Sequence, residues 1–279
     1  MTVVLAENNY GKSRVRLLKV RREGARHTVH EWEVAIRFEG NFEAAHLDGD
    51  NALVLPTDTM KNTVYARAAD TKATTPEAFG LELARFFIDR NPVVERVGID
   101  LVETPWTRWP DAAGRPHDHA FVSGGTERRL ASVDMDRSGA HVVGGLADLL
   151  VMKTAGSAFY GYPKDEYTTL PETRDRIFRT VIAAEWSWAG SGFERFDDIR
   201  RRLVDVFAAH DSRSVQETLF AMGKDVLDGV AEVADIRLSL PNQHCLPVDM
   251  TRFGMDNRNE IFVVTEEPHG LIEATLRRD

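Results

Sequence analysis

A ten-residue stretch concentrates side chains that could carry acid–base chemistry. Residues 54–63 read VLPTDTMKNT, an apolar, strand-like beginning that ends at a proline and is followed by hydroxyl, carboxylate, ammonium and amide groups. Such groups are costly to place in a folded protein unless hydrogen bonds or a ligand satisfy them. We therefore expect Thr57 and Asp58 to belong to a functional site.

A second set of residues could hold a flat, nitrogen-rich ring. Arg176 offers a planar fork of donors, and the Gln216 amide offers both a donor and an acceptor, so the pair fits a ring edge with carbonyl and N–H groups. Phe159 could stack on the ring face. Each residue alone is more typical of a surface ion pair, a cap neighbour or a core side chain than of a ligand contact. Only their joint pattern indicates a ligand clamp.

Proton transfer would need a partner for Thr57, because a threonine hydroxyl is a poor base by itself. Lys12 could accept its proton if burial or nearby cations favour the neutral amine. His244 is the other candidate, since histidine can change charge near neutral pH. A Lys–Thr pair with a histidine near a bound water would form a proton relay. The alternative is a solvated Lys12, a Thr57 turn hydroxyl and a His244 in a loop.

Composition limits the class of ligand. The 279 residues are 43% hydrophobic, enough to bury the core of one large domain or two ordinary ones. Lysine and arginine number 35 against 44 aspartate and glutamate, a formal charge of −9. We expect no general attraction to nucleic acid or to an anionic membrane, and an anionic small ligand would need a local cationic pocket.

The location is expected to be cytoplasmic. No apolar run approaches the roughly 20 residues that cross a bilayer, and Met1–Asn9 has neither a basic start nor a long apolar segment. The last residues, Leu276–Asp279, lack the Ser-Lys-Leu peroxisomal address. The single cysteine, Cys245, excludes an internal disulfide and a multi-thiolate metal site.

The first part of the chain alternates apolar and polar residues in a way that predicts antiparallel strands around one helix. Thr75 and Pro76 predict the beginning of that helix, which should extend to about Asp89. The predicted strands are Arg14–Val20 and Val29–Phe38, joined at Arg22–Gly24, followed after the helix by Val94–Thr104 and Ala120–Met135.

The second part repeats that order of elements. Ser214 and Glu217 have the spacing of a capping box at the beginning of a helix. The predicted elements are strands His141–Lys153 and Thr180–Trp188, helices Phe196–Ala209 and Ser214–Val230, and strands Ala234–Leu240 and Glu260–Thr265. We infer an α+β fold with two repeats, residues 1–138 and 139–279, in which helices cover one face of an antiparallel sheet. Joining such sheets between subunits would remove their edges and close an oligomeric barrel.

The candidate residues lie in segments that together resemble the urate oxidase family, in family order along nearly the whole chain. The segments are Tyr10–Lys12, Thr57–Tyr65, His117–Phe121, Phe159–Arg176 with Tyr167–Leu170 inside it, Leu240–Asn242 with His244, and Gly270–Thr275. One departure is Gln243, which stands where the family commonly has a basic residue, so substrate affinity or pH response could differ.

The resemblance implies a tandem tunnelling fold and a homotetramer. It implies that the enzyme, an oxidoreductase, oxidises urate with dioxygen to 5-hydroxyisourate and hydrogen peroxide with no metal or organic cofactor. By position, Phe159 would stack on urate, Arg176 and Gln216 would clamp its edge, and the backbone of Val215 would lie beside it. Lys12, Thr57 and His244 would form the relay.

The family also implies how the remaining residues are shared. Asn242 would hold dioxygen opposite Thr57, and Asp58 would support the far ring edge through its backbone. Lys12, Thr57 and Asp58 would come from one subunit and the clamp from its neighbour.

Two other classes of function stay open from the residues. One is a different tunnelling-fold enzyme acting on pterin or guanine-derived rings, although its zinc-dependent members need ligands that one cysteine does not supply. The other is a purine-binding protein without turnover. His117 and His119 form too small a set for a metal site, and Cys245 points away from its neighbour His244 on an extended segment.

Overall fold

The computed structural model describes residues 2–279, and its contacts divide the chain into two compact units. The first comprises Met1–Gly145 and Gly190–Glu194, and the second comprises Leu146–Ala189 and Arg195–Asp279. The division into sequence repeats at residue 138 stays a prediction. None of the helices among residues 2–279 combines the length and the apolar character that crossing a membrane requires.

The first unit is an antiparallel sheet with helices. Its elements are β1 (Tyr10–Glu23), β2 (Arg26–Gly40), α1 (Glu43–Leu47), α2 (Thr57–Asp70), α3 (Pro76–Arg90), β3 (Val94–Thr104), β4 (Trp106–Pro110), β5 (Pro116–Ser123) and β6 (Arg128–Asp136). The strand order is β1-β2-β3-β6, while β4 and β5 pair separately. The turn between β1 and β2 contains Gly24 at φ +63°, a conformation that glycine adopts without strain. The predicted hairpin is therefore confirmed.

Helix α3 supplies the core of the first unit. The Thr75 hydroxyl accepts the Ala78 N–H at 3.3 Å, and Pro76 follows at the first helical position, so this helix begins as its sequence predicts. Its buried face packs on the sheet, where the Phe79 ring stacks on Trp32 with centroids 4.8 Å apart. The side chains of Trp32 and Phe79 are both fully buried.

The second unit repeats a sheet with two helices. Its elements are β7 (Ala140–Lys153), which begins in the first unit, then β8 (Phe178–Trp188), α4 (Phe196–Ala209), α5 (Val215–Gly229), β9 (Val233–Ser239), β10 (Asn242–Pro247), β11 (Phe262–Gly270) and β12 (Glu273–Arg277). Strand β8 pairs with β9 along one stretch and with β10 along another. Strand β9 also pairs with β12, and β10 also pairs with β11, both antiparallel.

Helix α4 has a regular apolar face, and both ends of this face pack on β8. The Phe196 ring lies 6.0 Å from Trp186, and the Phe207 ring lies 5.0 Å from Phe178, between ring centroids. Helix α5 packs against α4, β9 and β12. The predicted helices of this unit are confirmed, α4 with the same bounds.

Two predictions for the first unit are wrong. The residues from Val54 to the proline lie in no strand, and Thr57 begins helix α2. Only three residues of this helix are buried, Met60, Val64 and Ala68. Because the other residues are mostly polar, the helical spacing of these three is hard to recognise in the sequence. The segment Ala120–Met135 is also not one strand. It divides into β5 and β6 around Gly125, whose φ of +130° belongs to a turn.

The second unit contains strands that the sequence pattern does not predict. Strand β10 is short, does not alternate and ends at Pro247, whereas β12 alternates over only five residues, too few to predict a strand. Strand β11 runs over Phe262–Gly270, later than the predicted Glu260–Thr265, and contains Pro268. Prolines are tolerated in strands only where a ladder N–H is not needed.

Candidate functional site

Thr57 and Asp58 are the first two residues of helix α2. The preceding residue, Pro56, is the N-cap and provides no side-chain hydrogen bond to the helix. The first N–H groups of a helix have no partner within the helix and carry the positive end of its dipole. With no side-chain cap, this helix end presents backbone donors suited to an anionic or carbonyl group.

The Asp58 side chain folds back over its own helix. Its carboxylate forms an ion pair with Lys61 and accepts a hydrogen bond from Asn62 Nδ2 at 3.0 Å. The Lys61 hydrogen bond, with smaller effects from Asn62 and the nearby Lys12 ammonium, holds the pKa of the Asp58 carboxyl below its usual range. Each carboxylate oxygen of Asp58 thus accepts a hydrogen bond from a side chain of its own helix, while its backbone N–H lies in the first helical turn.

Lys12 lies on β1, and its neighbour Gly11 is required there by packing. A Cβ at residue 11 would lie 1.8 Å from the Ile36 carbonyl oxygen on the adjacent strand β2. Any side chain would separate the two strands, so glycine keeps them in register beside Lys12. The Lys12 ammonium is near enough to contribute, as the smallest of several effects, to the lowered pKa of the Asp58 carboxyl, while a shared role of Lys12 with Thr57 and Asp58 stays a prediction.

The predicted clamp of the second unit is built on main-chain hydrogen bonds between irregular segments. Ala158 N–H donates to the Ser212 carbonyl at 2.7 Å, and Arg176 N–H donates to the Ser157 carbonyl at 2.8 Å. Phe159 pairs with Thr173 through two reciprocal bonds of 2.8 and 3.0 Å. Residues 157–159 therefore lie between two segments, one containing Ser212 and the other containing Thr173 and Arg176, and bond the backbone of both. This pairing brings Phe159 and Arg176 together.

Arg176 is an unpaired, half-buried cation. Its guanidinium makes no ion pair among residues 2–279, and its buried Nε has no hydrogen-bond partner there. The Cζ atom lies 5.5 Å from the centroid of the Phe159 ring. Burial lowers the pKa of the guanidinium, which nonetheless stays charged at neutral pH. A desolvated cation without a partner favours an anionic ligand.

The beginning of helix α5 carries the other two residues that the sequence analysis predicts for the clamp. Ser214 Oγ caps the helix by accepting the Glu217 N–H at 3.1 Å, so Val215 and Gln216 occupy its first turn. The predicted capping box is only half present, because the Glu217 carboxylate bonds the Arg213 N–H at 3.0 Å and its guanidinium instead. Val215 is buried, whereas the Gln216 side chain is exposed.

Strand β10 carries Asn242 and His244. Asn242 pairs with Thr180 on β8 and with Gly270 on β11, and His244 pairs with Thr265. Between them, Gln243 is buried and accepts a hydrogen bond from the Arg179 guanidinium. The Gln243 amide therefore binds a cation from the neighbouring strand β8.

Comparison with known proteins bears on what these residues do. The family model described as Uricase matches residues 8–134 and 142–273. The uricase of Arthrobacter globiformis is 42% identical, with 99% of this chain and 91% of that protein aligned. The uricase of Dictyostelium discoideum is 38% identical over 98% of this chain and 97% of that protein.

This chain belongs to the uricase family.

Solved structures of the family agree in fold. The crystal structure of Arthrobacter globiformis uricase has a TM-score of 0.93 at 40% identity, covering 100% of this chain and 96% of that one. The urate oxidase from Bacillus sp. TB-90 has a TM-score of 0.85 at 22% identity, covering 97% and 100%, and supports the fold alone. The predicted α+β uricase fold and oxidoreductase class are confirmed, while the oligomeric barrel stays a prediction.

Several signals in this uricase-family chain lead to no separate site. His117 Nδ1 lies 3.2 and 3.1 Å from the backbone N–H groups of His119 and Ala120, so it supports strand β5. Within residues 2–279, no group of three or more histidine, cysteine, aspartate or glutamate side chains could hold a metal ion. Cys245 is a free, half-buried thiol.

The described contacts gather the predicted site residues into separate groups. Lys12 lies near the beginning of α2 in the first unit, and Phe159 and Arg176 lie together in the second, near the segment that leads to Val215. The association of His244 with Lys12 and Thr57 stays a prediction, as do the individual roles. Sequence reasoning missed that Thr57 begins a helix; the four-residue spacing of Met60, Val64 and Ala68 was the available signal.

Proposed function

We propose that this protein is a urate oxidase that converts urate, dioxygen and water into 5-hydroxyisourate and hydrogen peroxide. The observation that carries the proposal is the unpaired Arg176 guanidinium beside the Phe159 ring, in a chain of the uricase family. The chain has a formal charge of −9, so binding of an anionic ring calls for such a local cation.

The clamp residues would bind urate along one edge and one face. Arg176 donates two parallel hydrogen bonds, and Gln216 adds one donor and one acceptor from the beginning of α5. Phe159 stacks on the ring through the face that Tyr162 does not cover, since the two side chains already stack with centroids 4.8 Å apart. The Val215 backbone lies beside the ring.

The remaining residues would move protons and hold oxygen. Thr57 passes a urate proton toward Lys12, with His244 as the third member of the relay. Asp58 meets the far edge of the ring through its backbone N–H, which agrees with a carboxylate already occupied by Lys61 and Asn62. Asn242 holds dioxygen, then peroxide or water, across the ring from Thr57.

The reaction balances without a further oxidant. Urate loses two electrons and two protons, dioxygen gains both to become hydrogen peroxide, and water adds to the oxidised ring, its hydroxyl to carbon 5 and its proton to a ring nitrogen. Doubly deprotonated urate is electron-rich enough to pass an electron to dioxygen itself. The protein then supplies deprotonation, orientation and a place for oxygen, and we propose that no metal or organic cofactor takes part.

We further propose a homotetramer in which Lys12, Thr57 and Asp58 of one subunit serve the clamp of its neighbour. At a urate concentration near the wild-type KM, Lys12→Met, through its lost turnover, and Arg176→Ala, through its weakened binding, would each leave the sites of their own oligomer nearly inactive. Mixed oligomers would regain some sites with both intact halves. Subunit exchange that restores no activity would contradict the shared site.

One assay tests the activity. Urate is added in air with a chelator present, and urate absorbance and hydrogen peroxide are followed together. We expect urate loss and peroxide formation in equal amounts, unaffected by the chelator. Binding of urate without peroxide would indicate a purine-binding protein, and dependence of turnover on a metal would also contradict the proposal.

A further inference from the structure

We propose that Tyr10 is a positioning residue that fixes the beginning of helix α2 relative to Lys12. The inference rests on the proposed function, because Thr57 and Lys12 transfer protons only if the protein oxidises urate. It is carried by a long-range hydrogen bond in which the Leu55 N–H donates to the Tyr10 phenol oxygen at 2.9 Å. Leu55 lies two residues before Thr57.

The bond joins the two chain segments that carry the proposed proton-transfer groups. Tyr10 and Lys12 are two residues apart on β1, so their side chains leave the strand on the same side. The irregularity in the pairing of β1 with β2 comes later, between Lys12 and Val15. A shift of the Tyr10 hydroxyl would therefore change the distance between Lys12 and Thr57 directly.

The Tyr10 ring is held in place by two aromatic neighbours. Its centroid lies 5.8 Å from that of Phe38 and 4.7 Å from that of Phe42, and both pairs meet edge to face. Phe38 and Phe42 are themselves buried. Burial also raises the pKa of the phenol, which keeps it neutral at neutral pH. The hydroxyl is thus an acceptor at a fixed position.

Strand β1 holds the other end of helix α2 independently. Lys19 Nζ donates to the Ala68 carbonyl at 2.5 Å and to the Thr71 carbonyl at 2.8 Å. About 30 Å of strand separates Tyr10 from Lys19, whereas helix α2 is about 21 Å long. The two side chains can therefore reach the residues before the helix and the end of the helix. Loss of the Tyr10 hydroxyl would therefore move the beginning of α2 while its end stays attached.

The test is Tyr10→Phe, which keeps the ring and removes the hydroxyl. We expect kcat for urate to fall about five- to tenfold, with KM changed by less than about twofold, because the clamp is untouched. Tyr65→Phe is the matched control: Tyr65 is on α2, 44% exposed, and its phenol makes no hydrogen bond within residues 2–279. This control should keep the wild-type kcat.

Hydrogen exchange at the Leu55 amide reports the bond without relying on activity. In Tyr10→Phe, exchange at Leu55 should quicken about tenfold, while amides of α3 keep their protection. A wild-type kcat in Tyr10→Phe, unchanged exchange at Leu55, or global unfolding of the variant would each overturn the inference. If the wild-type protein does not oxidise urate, the proposed function fails, and the exchange result still reports whether Tyr10 fixes this segment.

Discussion

Thr57 and Lys12 in the first unit lie on a regular helix and a regular strand, whereas Phe159 and Arg176 in the second unit lie on irregular segments. The first pair of elements is joined by side chains, Tyr10 at one end of α2 and Lys19 at the other. The second set is joined by backbone hydrogen bonds around Ser157 and Ser212. Each arrangement suits a different task.

A proton-transfer group must keep its distance to a partner, and regular elements held by single side chains set such a distance. A clamp must present an aromatic face and a guanidinium together, which a backbone ladder between three segments does without relying on any one side chain. We therefore expect substitutions of Lys12 and Thr57 to affect turnover, and substitutions in the segments that carry Phe159 and Arg176 to affect binding. The predictions below test this difference.

The largest effect is expected from Arg176→Ala. Loss of a desolvated, charge-assisted hydrogen-bond donor should raise KM for urate by roughly 100-fold with a smaller change in kcat. Arg174→Ala is the control, because this neighbouring guanidinium lies over the Tyr160 ring at 4.5 Å and has no proposed role. Steady-state kinetics of both variants give the answer, and equal KM values for the two would remove Arg176 from the clamp.

Gly11→Ala should disturb the first unit more than any loss of a single hydrogen bond. The added Cβ would overlap the Ile36 carbonyl oxygen, so β1 and β2 must separate beside Lys12, at a cost of about 3 kcal/mol in the free energy of unfolding. In Gly139→Ala, no atom lies within 4 Å of the added Cβ. Denaturant unfolding should separate the two variants; equal stability would show that β1 is not constrained there.

Ser212→Ala tests whether the clamp depends on its backbone ladder or on side chains. The buried Ser212 hydroxyl donates to the carbonyl of Ser214, the N-cap residue of α5, at 2.9 Å. We expect KM to rise about fivefold and kcat to hold, because the ladder itself stays. Ser187→Ala, which loses a 3.3 Å bond to Asp235, is the control. A 100-fold rise would mean that this one hydroxyl holds the clamp.

The smallest effect concerns acid stability near the clamp. The Arg213 guanidinium and backbone N–H lower the pKa of Glu217 from 4.5 to about 2. The unfolded chain therefore binds this proton first, so the stability from Glu217 is complete above about pH 4.5 and is lost as pH falls toward 2. Glu217→Gln should show a smaller loss between these pH values in thermal unfolding, and Arg213→Gln should do the same. An unchanged acid profile in both would exclude this pair.

Much of the fold could be predicted from the sequence because its signals are local. Thr75 with Pro76, and Ser214 with the apolar spacing that follows it, determine where α3 and α5 begin. Helix α2 was not predictable with the same certainty, because only Met60, Val64 and Ala68 of its fourteen residues are buried. Its burial depends on β1, which is distant in the sequence.

The site could be predicted only as a set of residue types. Arg176, Gln216 and Phe159 suggest a ring clamp, but nothing in their spacing indicates the ladder through Ser212 that holds the segments together. Tyr10 likewise lies before the predicted strand Arg14–Val20, and no local pattern indicates that its hydroxyl bonds a backbone group 45 residues away. Such contacts depend on tertiary structure, which local patterns do not encode.

Binding of urate without oxygen tests the separation of tasks most directly. Under anaerobic conditions, equilibrium dialysis gives Kd for the wild-type protein, Lys12→Met and Arg176→Ala with no turnover to interfere. We predict a Kd within about threefold of wild type for Lys12→Met and at least roughly 100-fold weaker binding for Arg176→Ala. Equal binding by the two variants, or a loss of binding in Lys12→Met as large as in Arg176→Ala, would contradict the account.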